Sequence, residues 1–450
     1  MSSYIPNTDA DRARMLRTLG LDSVEELFEV IPADKRYPQL NLPPPLAEAE
    51  LRTLFQDLSE KNADLDHHPC FLGAGSYRHF VPSVVDHIIS RGEFYTAYTP
   101  YQAEASQGTL TSIYEFQSMV CALTGMDVAN ASMYDGATAF AEAGLMAVRV
   151  TRRYRLLVAS TVHPRYRQVL RTYTQGIGME IQEAPRDEDG RVDLATVEGM
   201  LDGETAAVMV QQPNFLGCLE DLGRLSELAH QSGALLVVCA DPISLGLLKP
   251  PGELGADIVV GEGQSLGNPP SYGGPYVGLF ACRQQHVRQM PGRLVGMATD
   301  EEGRRGFVLT LQPREQHIRR EKATSNICTN EALVALASAT YLAVLGKQGL
   351  RRVAELCYHK AHYAAGEIAA IPHYERPLGH FFKEFVVRTP VEPAEVIEKL
   401  WEEEGIVGGY PLGRDYPDLA DCLLLCVTEM NTREQIDQLV TALARIAGRR

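Results

Sequence analysis

Two short apolar runs, residues 258–260 and 277–280, flank the loop GEGQSLGNPPSYGGPY, whose glycine, asparagine, proline and serine content marks a sharply bending backbone. Such a loop after a buried strand suits an imine-forming lysine, whose amine must be desolvated enough to be nucleophilic. Gln264 and Ser265 occupy the candidate positions here, and neither can form an imine. Upstream, FLGAGSYRHFVP (71–82) and FYTAYTPYQAEASQG (94–108) crowd Tyr77, Tyr95, Tyr98 and Tyr101 among glycines and prolines. Tyrosine hydroxyls and a carboxamide such as Gln102 can hydrogen-bond a small polar ligand or anchor an interface. A buried loop with packed tyrosines reads equally well.

Other residues fit ionic roles. The start of a helix at residue 136 is an anion cradle, because its free amides point outward. Asp135 just before it reads as the helix cap, a carboxylate that would repel a phosphate. His163, Asn214 and Asp241 each follow an apolar run, on the side where parallel sheets bind ligands. Asp241 suits a ring nitrogen and His163 a ring face; a helix cap suits each as well. The stretch REQHIRREKATSNICTN (314–330) gathers Arg314, His317, Arg319, Arg320 and Lys322 in an acidic protein. Such a cluster meets an anionic partner or substrate, or forms a solvated, salt-bridged face.

The elements that must position these residues follow from periodicity. Apolar runs at 156–159, 206–210, 235–239 and 258–260 predict strands buried on both faces. Helical patterns at 165–174, 194–201 and 222–231 alternate with them, the order of a parallel sheet covered by helices. Before this region, Thr8 and Gly20 bracket one helix, and Ser23 with Glu26 caps a second. Three prolines (Pro43, Pro44, Pro45) then force an extended strap, followed by a helix at 46–60 with Leu46, Leu51, Leu54 and Leu58 on helical spacing. An apolar helix at 113–123 ends at Gly125. A strand at 384–388, a helix at 393–404, a strand at 422–427 and a final helix capped by Thr432 and Gln435 predict a small α+β domain. The chain thus divides into a helical arm (1–65), a large α/β domain (66–330), and a long helix with the small domain (331–450).

Composition bounds the function. A chain of 450 residues with 45% hydrophobic and 22% charged residues can bury a large core. Its net charge of −16 argues against a nucleic-acid surface. No apolar run is expected to reach the length of a membrane span, and the polar start MSSYIPNTDADR is not a signal peptide. The nine cysteines are odd in number and lack metal-ligand spacing, so they read as reduced packing residues in a cytoplasmic protein, with no metal site.

The strings YTPYQAEASQG, NASMYDGATAFAEA, VVGEGQSLGNPPSYGGPYVGLFA and REQHIRREKATSNICTN resemble the glycine-cleavage P-protein family, in particular its amino-terminal subunit, and the likeness runs from SYIPNT to TEMNTREQID. The resemblance implies an aspartate-aminotransferase-like fold, pyridoxal-phosphate fold type I. It also implies a homologous second subunit whose His-Lys pair, replaced here by Gln264 and Ser265, holds the cofactor. The family decarboxylates glycine on pyridoxal phosphate and passes the aminomethyl group to the lipoyl arm of a carrier, the H-protein. On this reading the chain alone binds no covalent cofactor and is inactive. It assembles with its partner as a heterodimer repeated about a two-fold axis, a heterotetramer. Active sites in such folds form between subunits, so Tyr95, Tyr98 and Gln102 are expected to line the partner's glycine site. Neutral donors there orient a carboxylate without the strong ground-state stabilisation of a bidentate arginine pair. Two alternatives remain: a structural or regulatory pseudo-enzyme with no side chain in the site, or a self-sufficient enzyme using Lys249 or Lys322.

Overall fold

The computed structural model describes residue 4 and residues 6–448; part of SYIPNT and of the polar start lies outside the described residues. The chain forms two compact units, residues 1–63 and 64–450. In the first, Thr8 caps the helix Asp9–Leu19 in a reciprocal box with Asp11, and Gly20 ends it at φ 72°. Ser23 and Glu26 do pair, but only a 3-10 turn, Glu25–Phe28, follows. The helix Glu48–Ser59 carries Leu51, Leu54, Phe55 and Leu58 exposed.

The second unit is built on a seven-stranded sheet of β1 (Val128–Ala129), β2 (Arg155–Ala159), β3 (Glu180–Ala184), β4 (Thr205–Gln212), β5 (Leu235–Ala240), β6 (Ile258–Glu262) and β7 (Gly278–Cys282). Their order is β1-β7-β6-β5-β4-β2-β3, parallel except for β7, which runs antiparallel to both β1 and β6. Every residue of β5 is buried, as the apolar runs require of strands covered on both faces. The edge strand β3, EIQEA, was not expected; it is only half covered and so carries no continuous apolar run. Helices Gly136–Thr151, Pro164–Thr174, Leu194–Met200 and Leu222–Gln231 alternate with the strands, giving an α/β fold.

A hairpin of β8 (Leu294–Thr299) and β9 (Arg305–Thr310), also unanticipated, packs on the helix Gln107–Thr124 through Leu110, Ile113, Val295 and Phe307. The helix Ala332–Ala369, broken at Gly346 (φ 59°), corrects one expectation: by length and composition it is long and apolar enough to cross a membrane. Its Ala335, Ala337 and Ala354 pack into the sheet core, and Ala361, Ala364 and Ile368 into a second core. That second core sits under a three-stranded antiparallel sheet of β10 (Glu384–Arg388), β11 (Tyr410–Pro411) and β12 (Cys422–Cys426), ordered β10-β12-β11. Helices Pro393–Glu404 and Arg433–Gly448 close it, the latter behind the Thr432–Gln435 box. The nine cysteines are free thiols, six of them buried, and burial pushes Cys282 up to about 12.

Candidate functional site

The carboxyl ends of β4, β5 and β6 converge, with the loops at 74–79 and 263–268, on a pocket that the chain fills with its own side chains. Gln264 is fully buried. Its Oε1 accepts from the Tyr77 amide (2.9 Å), and its Nε2 donates to the carbonyls of Tyr77 (2.9 Å) and Asn268 (2.7 Å). Ser265 is buried beside it, its Oγ without a hydrogen-bond partner. Asp135 caps the Gly136–Thr151 helix by accepting from the Thr138 amide at 2.7 Å. The rest of that helix start is taken by Glu262, which accepts from the amides of Gly136 (2.9 Å), Gln264 (3.0 Å) and Val277 (3.2 Å). Burial raises the Glu262 carboxyl to about 8 against those three donors. Nothing can be added here: a Cβ on Gly136 would lie 2.4 Å from the Tyr166 hydroxyl.

His163 and Asp241 reach the pocket but are engaged. His163 donates from Nε2 to the Ala74 carbonyl (2.9 Å) and accepts at Nδ1 from Arg165 N (3.1 Å), the helix-cap role; its ring stacks on Tyr166 at 4.9 Å. Burial holds its pKa below the usual value. Asn214 fastens its own loop, accepting from the Leu216 and Cys218 amides, both at 3.0 Å. Asp241 accepts from the Ile243 amide at 3.0 Å and pairs with the ammonium of Lys383 at 2.7 Å. That lysine is 2% exposed, with its Nζ 3.6 Å from the centre of the Tyr77 ring. Burial alone would lower the Lys383 pKa, but Asp241 together with the nearby Cys426 and Cys357 leaves it raised.

An ammonium cannot accept, so Lys383 donates to His79 Nε2 (3.2 Å), which leaves His79 Nδ1 to donate to Glu429 (2.7 Å). His79, Cys357 and Glu429 place three ligand-type atoms within 4.8 Å of one another. With a cation on the same imidazole, this geometry is that of a buried ion-pair network. Glu384, beside Lys383, accepts from the Ala74 amide (2.7 Å) and the Tyr77 hydroxyl (2.8 Å), and burial raises it to about 7. Sequence reading missed Glu262, His79, Lys383, Glu384 and Glu429. The signals available were a carboxylate inside a glycine-rich loop and a lone cation in the apolar run FFKEFVV.

These residues do not fit a pyridoxal phosphate. The lysine position is Ser265, the helix start meets a carboxylate, Asp241 faces an ammonium, and the remaining space is about 30 Å³, the scale of one or two waters. Lys249 and Lys322 offer no substitute: both are exposed, neither lines the pocket, and Lys249 lies 3.9 Å from Glu253.

The tyrosine loop lies elsewhere and is not the buried loop that one reading allowed. Tyr95 and Tyr98 are 70% and 84% exposed. Gln107 anchors the loop's far end, exchanging hydrogen bonds with the amide and carbonyl of Phe307 (both 2.9 Å). Tyr95 and Tyr98 line a cavity of about 240 Å³ with Thr109, Arg293 and Asn330, whereas Gln102 lies off its wall. Arg314, from the basic stretch, turns inward to the Met290 and Gly292 carbonyls. Arg319, Arg320 and Lys322 are exposed and make no ion pair among the described residues.

The sequence profile of the glycine cleavage system P-protein matches residues 2–443. A protein of Desulforamulus reducens called probable glycine dehydrogenase (decarboxylating) subunit 1 is 56% identical, covering 99% of this chain and 100% of its own. The crystal structure of a glycine decarboxylase (P-protein) in inhibitor-bound form superposes with a TM-score of 0.91 at 46% identity, over 99% of this chain and 100% of that one. A Lactobacillus brevis glutamate decarboxylase, 14% identical over 90% of this chain and 94% of its own, shares the fold alone, TM-score 0.68, which is that of fold type I pyridoxal-phosphate enzymes. The chain belongs to the glycine cleavage system P-protein family, as a subunit 1 of its decarboxylating glycine dehydrogenase, an oxidoreductase.

Proposed function

We propose that this chain is the subunit of the glycine dehydrogenase that holds no cofactor and completes the active site of a homologous, pyridoxal-phosphate-bearing partner. The observation that carries this is the closed pocket, where Ser265, Glu262 and Lys383 stand against a lysine, a phosphate and a ring nitrogen. In this reading the partner's cofactor supplies the electron sink for decarboxylation of glycine. The aminomethyl group then passes to the lipoyl arm of the H-protein, and the enzyme works in the cytoplasm. The present chain contributes surface and donors: residues 1–65 serve as a subunit-contact arm whose exposed leucines need a cover, residues 66–330 as the site-building domain, and residues 331–450 as its small-domain support.

The exposed loop from Tyr95 to Gln102 reaches the partner's glycine site, with Tyr98 the leading donor. Its hydroxyl has no partner among the described residues and is free to meet one across an interface. The test is glycine decarboxylation by the co-expressed pair with H-protein, after sizing shows both chains in one species. Tyr98→Phe should lower the rate by roughly tenfold or more, the cost of losing a transition-state hydrogen bond, with the partner's cofactor spectrum unchanged. Two separate peaks on sizing, or unchanged kinetics for Tyr95→Phe, Tyr98→Phe and Gln102→Ala together, would overturn this assignment.

A further inference from the structure

Between its two ends the tyrosine loop has one polar side-chain fastening. The near end is the short helix Gly92–Tyr95; the far end is the turn Ala103–Ala105 with Gln107 behind it. Residues 97–102 between them belong to no helix or strand. Among the described residues, the side chains of Tyr95, Tyr98, Thr99 and Gln102 make no hydrogen bond, ion pair or ring contact. Tyr101 is the exception. The Arg293 guanidinium carbon lies 5.8 Å from the centre of its ring, and Nη2 lies 3.4 Å from its hydroxyl. The His317 ring meets the same tyrosine edge-on, with ring centres 6.0 Å apart.

Arg293 is itself held on every side. It is buried and pairs with the equally buried Glu315 at 3.7 Å. Nη2 donates to the Cys328 carbonyl (2.5 Å), and Nη1 lies 3.4 Å from Asn330 Oδ1. Asn330 in turn donates to the Ala131 carbonyl (3.1 Å) and to Ser132 Oγ (3.0 Å), just beyond β1. One guanidinium therefore joins the loop to the 314–330 stretch and, through Asn330, to the sheet edge. A buried ion pair costs desolvation and is a weak source of stability. What a planar, multiply bonded guanidinium supplies is a fixed geometry. That geometry reaches the loop carrying Tyr95 and Tyr98, which line the same cavity as Arg293.

We propose that Arg293 is a positioning residue for glycine decarboxylation: acting through Tyr101, it holds the tyrosine loop in the arrangement that presents Tyr95 and Tyr98 to the partner. The inference rests on the function proposed above, and Arg293 acts through the loop rather than on the reacting atoms. A misplacement of about 1 Å at a reacting group can cost roughly a hundredfold in rate. A loop with a single polar fastening makes the rate depend on that fastening.

The first test uses the full chain alone, with chymotrypsin under native conditions cutting after the tyrosines of a loop that opens locally. Tyr101→Leu should raise nicking after Tyr95 and Tyr98 several-fold, with the urea unfolding midpoint unchanged, whereas Tyr101→Phe keeps the ring and should stay at the wild-type rate. Arg293→Met with Glu315→Gln removes both partners of the buried pair and should match Tyr101→Leu. Combining the three changes should be no faster than either variant, because the residues act as one unit. Should the Arg293 variant not fold, Tyr101→Leu decides, since that side chain is half exposed. In the co-expressed pair with H-protein, Tyr101→Leu should slow glycine decarboxylation several-fold and add little to Tyr98→Phe. Wild-type nicking in folded Tyr101→Leu, additive nicking effects, or an unslowed Tyr101→Leu enzyme beside a slowed Tyr98→Phe would overturn the proposal. Faster nicking with an unchanged Tyr98→Phe rate supports the fastening and overturns instead the placement of the loop at the partner's site.

Discussion

The pocket at the strand ends and the cavity behind the tyrosine loop lie in one unit of the same chain, and they are opposites. In the first, polar groups are matched internally: Lys383 is paired with Asp241, His79 donates to Glu429, and Glu262 accepts from three amides. Only the small hydroxyl of Ser265 is left over, in about 30 Å³. In the second, the hydroxyls of Thr99, Thr109, Tyr95 and Tyr98 have no partner among the described residues, and Tyr98 stands in solvent. A region whose polar groups are all paired gives stability and has little left for a ligand. A region with unmet donors gives up stability and keeps binding capacity. The first region keeps about 30 Å³ of space and the second about 240 Å³.

The largest effect should come from breaking the closed pocket. Lys383→Met strands the Asp241 carboxylate in the interior and should cost about 3–5 kcal/mol of unfolding free energy by urea denaturation. Adding Asp241→Asn should recover much of it; a loss under about 1 kcal/mol in the single variant would mean that the pair is not what holds the pocket shut.

A slightly smaller effect is expected from pH. Burial raises Glu384 from 4.5 to about 7 in the folded chain, so its contribution is fully present below pH 4.5 and is lost as pH rises through 7. At about 1.4 kcal/mol per pH unit, the wild type should lose roughly 3 kcal/mol more than Glu384→Gln across that window. Parallel stability-versus-pH curves for the two proteins would show that Glu384 is ionised throughout.

On the open side, the order of effects on the rate sharpens the contrast. Tyr98→Phe should exceed Gln102→Ala, since Gln102 lies off the cavity wall, and the reverse order would move the contact point outward along the loop. The smallest effect is a null one: Ser265→Lys alone should yield no pyridoxyl peptide after borohydride reduction in the presence of pyridoxal phosphate. Glu262 and Lys383 still occupy the places of phosphate and ring in that variant. A pyridoxyl label at the substituted position, or on Lys249 or Lys322 in the wild type, would show the pocket more open than its packing implies.

Much of the framework was legible in the residues. Helix caps at Thr8, Asp135 and Thr432, the buried strands β2, β4, β5, β6 and β7, and the small α+β region all follow from local rules, where spacing and a capping side chain decide the outcome within a few residues. The missing lysine was equally plain at Ser265. What escaped was β3, an edge strand without a continuous apolar run, and the β8–β9 hairpin, whose short strands carry a weak pattern.

The sequence by itself determined that this chain lacks an imine-forming residue in the family's loop and that Tyr95, Tyr98 and Tyr101 cluster around Pro100. Only the tertiary structure decided which charged and polar groups fill the pocket at the strand ends and which donors remain unmet. Lys383 contacts a histidine 304 positions away, Glu262 reaches a helix start 126 positions away, and Arg293 lies beside Tyr101 192 positions from it. Such pairings depend on how the sheet order and the small antiparallel layer bring remote segments together, and no periodicity or spacing along the chain records that distance.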